Sequence, residues 1–96
     1  MLDLGCGSGD SMREFKSEEC VVYGIDIQTL DSGLYLQKAK QFGPVVKGDA
    51  RILPFKEKTF DLILAKGTLH HIPNGLSFFN EIGRCMKKGG VLLVEE

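Results

Sequence analysis

No apolar run in this chain approaches the ~18 residues that a membrane span requires. No charged-then-apolar leader precedes Asp3, so the expectation is a soluble chain of the cytoplasm with no membrane partner. An excess of charge is lacking too: 12 Lys and Arg stand against 13 Asp and Glu, for a formal net charge of −1. The lysines are scattered rather than gathered into a stripe that would neutralise phosphates, so no clear nucleic-acid footprint results. Cysteine is scarce. Cys6, Cys20 and Cys85 leave one thiol over under any intramolecular pairing, and none stands at a metal-ligand spacing with His70 and His71. The three are read as reduced, and no metal site is expected. Repeats, low-complexity tracts and linkers are absent, so residues 1–96 form at most one domain. A domain of this size buries only somewhat over ~60% of its unfolded surface, which makes closure of the core matter.

What the chain does have is glycine concentrated behind a short apolar segment, in the run Leu2-Asp3-Leu4-Gly5-Cys6-Gly7-Ser8-Gly9. Glycines at alternate positions let a chain turn sharply out of a strand and bring its backbone against a ligand where a side chain would block the approach. A dinucleotide fingerprint needs its third glycine at position 10, but Asp10 stands there, and its carboxylate would repel a pyrophosphate. Short Val-, Ile- and Leu-rich segments predict strands over about 1–4, 21–25, 45–47, 60–65 and 91–95, as strands buried on both faces should read. Helices are predicted between them. The first runs over about 8–16 with Met12 and Phe15 inward. The second runs over about 29–42 with Leu30, Leu34, Tyr35, Ala39 and Phe42 inward, closed by a left-handed cap and stop at Gly43-Pro44. The third runs over about 74–88, capped by Asn74, with Leu76, Phe79, Ile82 and Met86 on one face and Lys87 and Lys88 before a stop at Gly89. The alternation implies an α/β fold with a mainly parallel sheet of about five strands and helices on both faces.

Taken together, these landmarks resemble the class I S-adenosylmethionine-dependent methyltransferases. The glycine run resembles their first motif, Tyr23-Gly24-Ile25-Asp26-Ile27 the acidic end of their second strand, and Gly48-Asp49-Ala50 the end of their third. Phe60-Asp61-Leu62-Ile63-Leu64 resembles the fourth strand, and Arg84-Cys85-Met86-Lys87-Lys88-Gly89-Gly90-Val91-Leu92-Leu93 the last helix, glycine turn and fifth strand. The resemblance covers nearly the whole chain in the right order. It implies a doubly wound, Rossmann-like sheet and S-adenosylmethionine as cofactor. No Asn-Pro-Pro-Tyr or Asp-Pro-Pro-Tyr follows the fourth strand, so the resemblance does not reach the methyltransferases that use that motif on amino groups of bases or glutamine.

The resemblance also implies a cofactor-binding set of Asp3, Gly5, Cys6, Gly7, Gly9, Asp26, Ile27, Asp49, Ala50 and Lys66. Backbone N–H groups of Gly5 to Gly9 suit the methionine carboxylate, and Asp3 suits the ammonium; the alternative for Asp3 is a carboxylate serving local turn amides. Asp26 lies about 20 residues beyond the glycine loop, where an acid accepts a pair of ribose hydroxyls. Ile27 lies against the adenine or is ordinary core. Asp49 and the Ala50 N–H serve the adenine edge, or Gly48-Asp49 is simply a turn. Lys66 is unusual, since a cation beside a sulfonium weakens binding; the alternative to a place in the set is a side chain turned away to solvent. His70 and His71 are the candidate catalytic bases, with shaping of the pocket as the alternative.

Relative to the seven-strand core of that family, the chain opens at the first strand and closes in the fifth, leaving Val91 to Val94 as an apolar edge open to self-association or a partner chain. Three readings stand: the cofactor-binding core of a methyltransferase with an unidentified acceptor, a non-catalytic S-adenosylmethionine-binding module or regulatory partner subunit, and another nucleotide-binding protein of doubly wound fold.

Overall fold

The computed structural model describes residues 1–26, 32–66 and 75–95. In chain order they form β1 (Leu2–Leu4), α1 (Asp10–Phe15), β2 (Tyr23–Asp26), α2 (Ser32–Ala39), β3 (Val45–Lys47), β4 (Phe60–Lys66), α3 (Gly75–Cys85) and β5 (Met86–Glu95). The strands make one sheet in the order β3-β2-β1-β4-β5, with every neighbouring pair parallel. The chain therefore winds outward from β1 to β3, then crosses back to lay β4 on the other side of β1. That reversal opens a crevice above the carboxyl ends of β1 and β4, the place where open parallel sheets bind ligands.

Parallel strands pack helices on both faces, and the core divides accordingly. Leu2, Leu4, Ile25, Ile63 and Ala65 form one buried cluster with Phe78, Ile82 and Cys85 of α3 and with Leu53 and Phe60. Met1, Cys6, Met12, Val22, Ala39 and Leu64 form the other, beneath α1 and α2, with Phe15 and Phe42 packed at its margin.

The expected α/β architecture holds, and several boundaries move. β2 starts two residues late and runs through Asp26, whose partner in β3 is Lys47. α3 ends at Cys85 rather than at Lys88, because Lys58 N–H and Thr59 N–H donate to the Arg84 and Cys85 carbonyls and close its last turn. Lys87, Lys88 and Gly89 then belong to β5, where the four residues between Met86 and Val91 stand against the one between Phe60 and Leu62. Gly89, at φ 82°, serves that irregularity and not a helix stop. The inward face of α3 is set by Phe78, Ile82 and Cys85, while Phe79 is half exposed. On α2, Ala39 is buried as expected but Leu34 is 79% exposed. Gly43 does not adopt the left-handed cap. Its lack of a side chain answers a close approach instead, since a Cβ there would stand on the Val22 carbonyl oxygen. Asn74 and Leu30 lie outside the described residues, and of the Tyr35 and Leu76 side chains nothing is described.

Candidate functional site

The loop leaving β1 carries Gly5, Gly7 and Gly9 at φ 74°, 52° and 90°, all in the left-handed region that glycine enters without steric penalty. Its amides turn inward. Gly5 N–H and Cys6 N–H donate to the Ile25 carbonyl at 2.8 and 3.1 Å, and Gly9 N–H donates to the Cys6 carbonyl at 2.9 Å. Gly7 N–H donates to Asp26 Oδ2 at 2.7 Å. Four amides expected to face a ligand are thus committed to the chain itself, and the loop is stitched to the end of β2. Gly9 has a second constraint: a Cβ there would lie 2.7 Å from the Ala39 Cα, so only glycine lets α2 settle over the start of α1.

Two carboxylates stand at the heart of this end of the sheet. Asp3 is 2% exposed and Asp26 is 7% exposed. Burial raises the Asp3 pKa to about 7, with the charge of Asp26 adding to the rise and that of Lys66 opposing it. The Cys6 thiol is pushed up to about 12, first by burial and then by Asp3 and Asp26. A cavity of about 310 Å³ opens here, lined by Asp3, residues 5–8, Asp10, Ser11 and Lys66. Lys66, at the end of β4, is exposed to solvent and lines the same cavity as Asp3. The reason is register, since Leu4 pairs with Ala65 and Lys66 follows directly.

The third strand end is drawn in by backbone. Gly48 N–H donates to the Asp26 carbonyl at 2.9 Å, which sets the turn at Asp49 and Ala50 beside β2. The Asp49 carboxylate is engaged by Arg51, whose backbone N–H, Nε and Nη2 all donate to it at 2.6 to 3.1 Å. These bonds hold the Asp49 carboxyl below its ordinary range. Ala50 is half-buried and packs against the α3-side core.

A second ion pair, not singled out from the sequence, fixes the next stretch of this loop. Arg84 Nε and Nη2 donate to Glu81 at 2.7 and 3.0 Å, while Nη1 and Nη2 donate to the Phe55 and Leu53 carbonyls at 2.8 and 2.9 Å. Glu81 Oε1 in turn accepts from Leu53 N–H at 2.7 Å. The i,i+3 spacing of Glu81 and Arg84 was the available signal, but it marks a helix-surface pair and says nothing of the loop beneath it.

His70, His71 and Ile27 lie outside the described residues. Among the described residues no group of three His, Cys, Asp or Glu is placed to hold a metal ion, and no helix is long and apolar enough to cross a membrane.

Comparison with known proteins places this geometry. A family model described as a methyltransferase domain matches residues 2–94. The sterol 4-C-methyltransferase of Caenorhabditis elegans is 31% identical over 98 residues, covering 97% of this chain and 29% of that protein. The demethylmenaquinone methyltransferase of Tropheryma whipplei is 34% identical over 100 residues, covering 100% of this chain and 41% of that protein. Among solved structures, the YcgJ protein of Bacillus subtilis superimposes with a TM-score of 0.86 at 25% identity, over 97% of this chain and 42% of that one. The chain spans less than half the length of each of these proteins.

Proposed function

Since the chain belongs to the methyltransferase domain family, we propose that it is the S-adenosylmethionine-binding core of a methyltransferase that acts on its acceptor by in-line displacement. The observation that carries this reading is Asp26. Its carboxylate holds the glycine loop through Gly7 N–H, and its carbonyl holds the next loop through Gly48 N–H. One residue thereby gathers the ends of β1, β2 and β3 around a single crevice. The residues present fit the ligand: open space stands where a Gly7 Cβ would be, and two buried carboxyl groups, Asp3 and Asp26, stand beside the crevice with the chemistry to receive a cation and hydroxyl donors.

When bound, S-adenosylmethionine supplies a methyl group already activated on a sulfonium. What remains for the protein is alignment, and an oriented pair gains on the order of 7 kcal/mol or more from proximity alone. Asp3 would hold the ammonium, Asp26 the ribose hydroxyls, and Ala50 N–H with Asp49 the adenine edge. Asp49 serves that edge while still paired to Arg51, which keeps the turn in place. Asp10 lines the same cavity and sets a negative charge against any pyrophosphate, so a dinucleotide is disfavoured.

Calorimetric titration with S-adenosylmethionine, its demethylated product and NAD tests the reading. Expected are binding of the first two and weaker binding of NAD; comparable or tighter NAD binding overturns it. Asp26→Ala removes both the hydroxyl acceptor and the anchor of Gly7, and hydrogen bonds to a charged group are worth ~1.5–3 kcal/mol each. Affinity should therefore fall tenfold or more by that estimate, with Asp26→Asn intermediate. Unchanged affinity in both variants, with circular dichroism like the wild type, excludes Asp26 from the site.

A further inference from the structure

The loop between β3 and β4 is held at two points, and the farther hold comes from α3. At the near point Gly48 N–H donates to the Asp26 carbonyl at 2.9 Å. At the far point Leu53 is 3% exposed and lies outside any strand, so its N–H and carbonyl require partners that no sheet ladder supplies. Glu81 and Arg84 supply them. Glu81 Oε1 accepts from Leu53 N–H at 2.7 Å, Arg84 Nη2 donates to the Leu53 carbonyl at 2.9 Å, and Arg84 Nη1 donates to the Phe55 carbonyl at 2.8 Å. Two bonds from Arg84 to Glu81, at 2.7 and 3.0 Å, fix the orientation of the guanidinium while its N–H groups reach those carbonyls.

We propose that Glu81 and Arg84 are positioning residues for base recognition: by fixing Leu53 from α3, they set where Asp49 and Ala50 N–H meet the ligand's purine. The inference rests on the cofactor reading above and deepens it, since neither side chain belongs to the set assigned to the ligand. Only residues 49–52 lie between the two holds, and Ile52 N–H donates to the Asp49 carbonyl at 3.0 Å, closing them into one turn. A short closed turn between two fixed points has little freedom of its own. Its tip therefore moves when either point moves. The near hold is backbone on backbone, whereas the far hold is made by two side chains, so the residue types at 81 and 84 decide the position. Packing passes that decision on: Leu53 lies in the buried cluster with Phe60, Phe78 and Ile82, and Ala50 and Phe55 pack against the same cluster. A shift at Leu53 reaches Ala50 rather than being absorbed by empty space.

A lysine at position 84 could not do the same work. Its ammonium is a compact point charge, without the planar fork that spans a carboxylate and two carbonyls at once. The backbone of Arg84 adds to the hold, because its carbonyl accepts from Lys58 N–H at 2.8 Å. One residue of α3 thus ties the chain at Leu53, Phe55 and Lys58, from the end of the Asp49 turn to the approach to β4.

The test titrates S-adenosylhomocysteine and S-inosylhomocysteine, which differ only at the edge of the base, into the chain by calorimetry. Wild type should prefer the adenine compound roughly tenfold or more, because the inosine compound sets an oxygen where the exocyclic amine would face Asp49. Arg84→Lys keeps the charge but loses the fork, and Glu81→Gln keeps an acceptor for Leu53 N–H but weakens the hold on Arg84. Both should reduce the preference to within about threefold. Gly89→Ala is the control for lost stability alone: it strains a φ of 82°, its Cβ meets nothing within 4 Å, and it should keep the wild-type preference. Titrations are made well below each variant's unfolding midpoint, so that only folded protein is compared. A merely structural pair would lower that midpoint and leave the preference intact. A wild-type preference in either folded variant therefore overturns the proposal, as does a preference lost equally in Gly89→Ala. Wild type that binds both compounds equally leaves the cofactor reading standing and overturns the positioning of the base edge. Wild type that binds neither removes the cofactor reading itself, and this proposal with it.

Discussion

Around the carboxyl ends of β1 and β2 the amides of Gly5, Cys6, Gly7 and Gly9 all have partners within the chain, and two carboxylates are almost wholly buried. Along β5, at the far side of the same sheet, apolar side chains stand half exposed, and among the described residues no strand pairs with its outer edge. The first region carries the cost of burying two carboxylates, and the second leaves apolar side chains half exposed. Perturbing the first should therefore register as changes in stability with pH and packing. Perturbing the second should register less in either.

The largest expected effect is the pH dependence carried by Asp3. Its pKa rises from the ordinary 3.8 to about 7 on folding, chiefly through burial. Between those values the folded chain keeps a proton that the unfolded chain has lost, so stability falls as pH rises through this window and levels off above about 7. At ~1.4 kcal/mol per unit, the group costs roughly 3–4 kcal/mol at pH 8 relative to pH 4. Urea unfolding of wild type and Asp3→Asn across that range should show the difference between them narrowing towards acid. A parallel pair of pH profiles would detach Asp3 from this role.

Next comes a contrast between two glycines with nearly the same backbone angle. Gly9 and Gly89 have φ of 90° and 82°, yet a Cβ at Gly9 meets the Ala39 Cα at 2.7 Å, whereas one at Gly89 meets nothing within 4 Å. Gly89→Ala should cost only the left-handed penalty, ~1–2 kcal/mol. Gly9→Ala adds an overpacking cost, for a total of ~2–5 kcal/mol. Equal midpoints in denaturant would mean that the α2 contact at Gly9 yields without cost.

That contrast also shows how much the sequence can disclose. A glycine forced by its own φ angle or by a close neighbour leaves a local mark, so the loop after β1 and the acid ending β2 were legible. That the Asp26 carboxylate would hold Gly7 was not, because it depends on how two strand ends approach. The inward face of α3 was misassigned for a similar reason. Phe79, Ile82 and Met86 share helical spacing, and so do Phe78, Ile82 and Cys85. Periodicity fixes the presence of a stripe but not the rotation of the helix on the sheet, which the fit of Phe78 under β1 and β4 decides. The helix end was hidden too. Lys87, Lys88 and Gly89 read as a local C-terminus, but the amides of Lys58 and Thr59 terminate α3 from 26 residues away in sequence.

A smaller effect separates the two ion pairs. Glu81 and Arg84 form bonds to each other and to the backbone of Leu53 and Phe55, whereas among the described residues the side chains of Arg51 and Asp49 bond within their own turn. Exposed pairs contribute little, and a pair that pins a distant loop contributes through the loop. Glu81→Gln should lower the unfolding midpoint measurably, and Arg51→Ala should shift it less. The reverse order would make the Asp49 turn the stronger clamp.

The smallest effect is chemical, and it asks whether the crevice's acids act on the neighbouring Cys6 thiol. Cys6 is 7% exposed, and its thiol is pushed up to about 12 by burial and by the negative field of Asp3 and Asp26. The thiolate is the nucleophile, so Cys6 should stay almost unreactive towards iodoacetamide at neutral pH while the half-buried Cys20 is alkylated first. Replacing Asp3 by Asn removes the second contribution but leaves the burial. Cys6 should then react somewhat faster yet remain slower than Cys20, as peptide mass analysis of timed digests would show. If Asp3→Asn brings Cys6 level with Cys20, the loop has opened, and the packing of Met12 and Gly24 around the thiol, rather than the field of the carboxylates, was what Asp3 maintained.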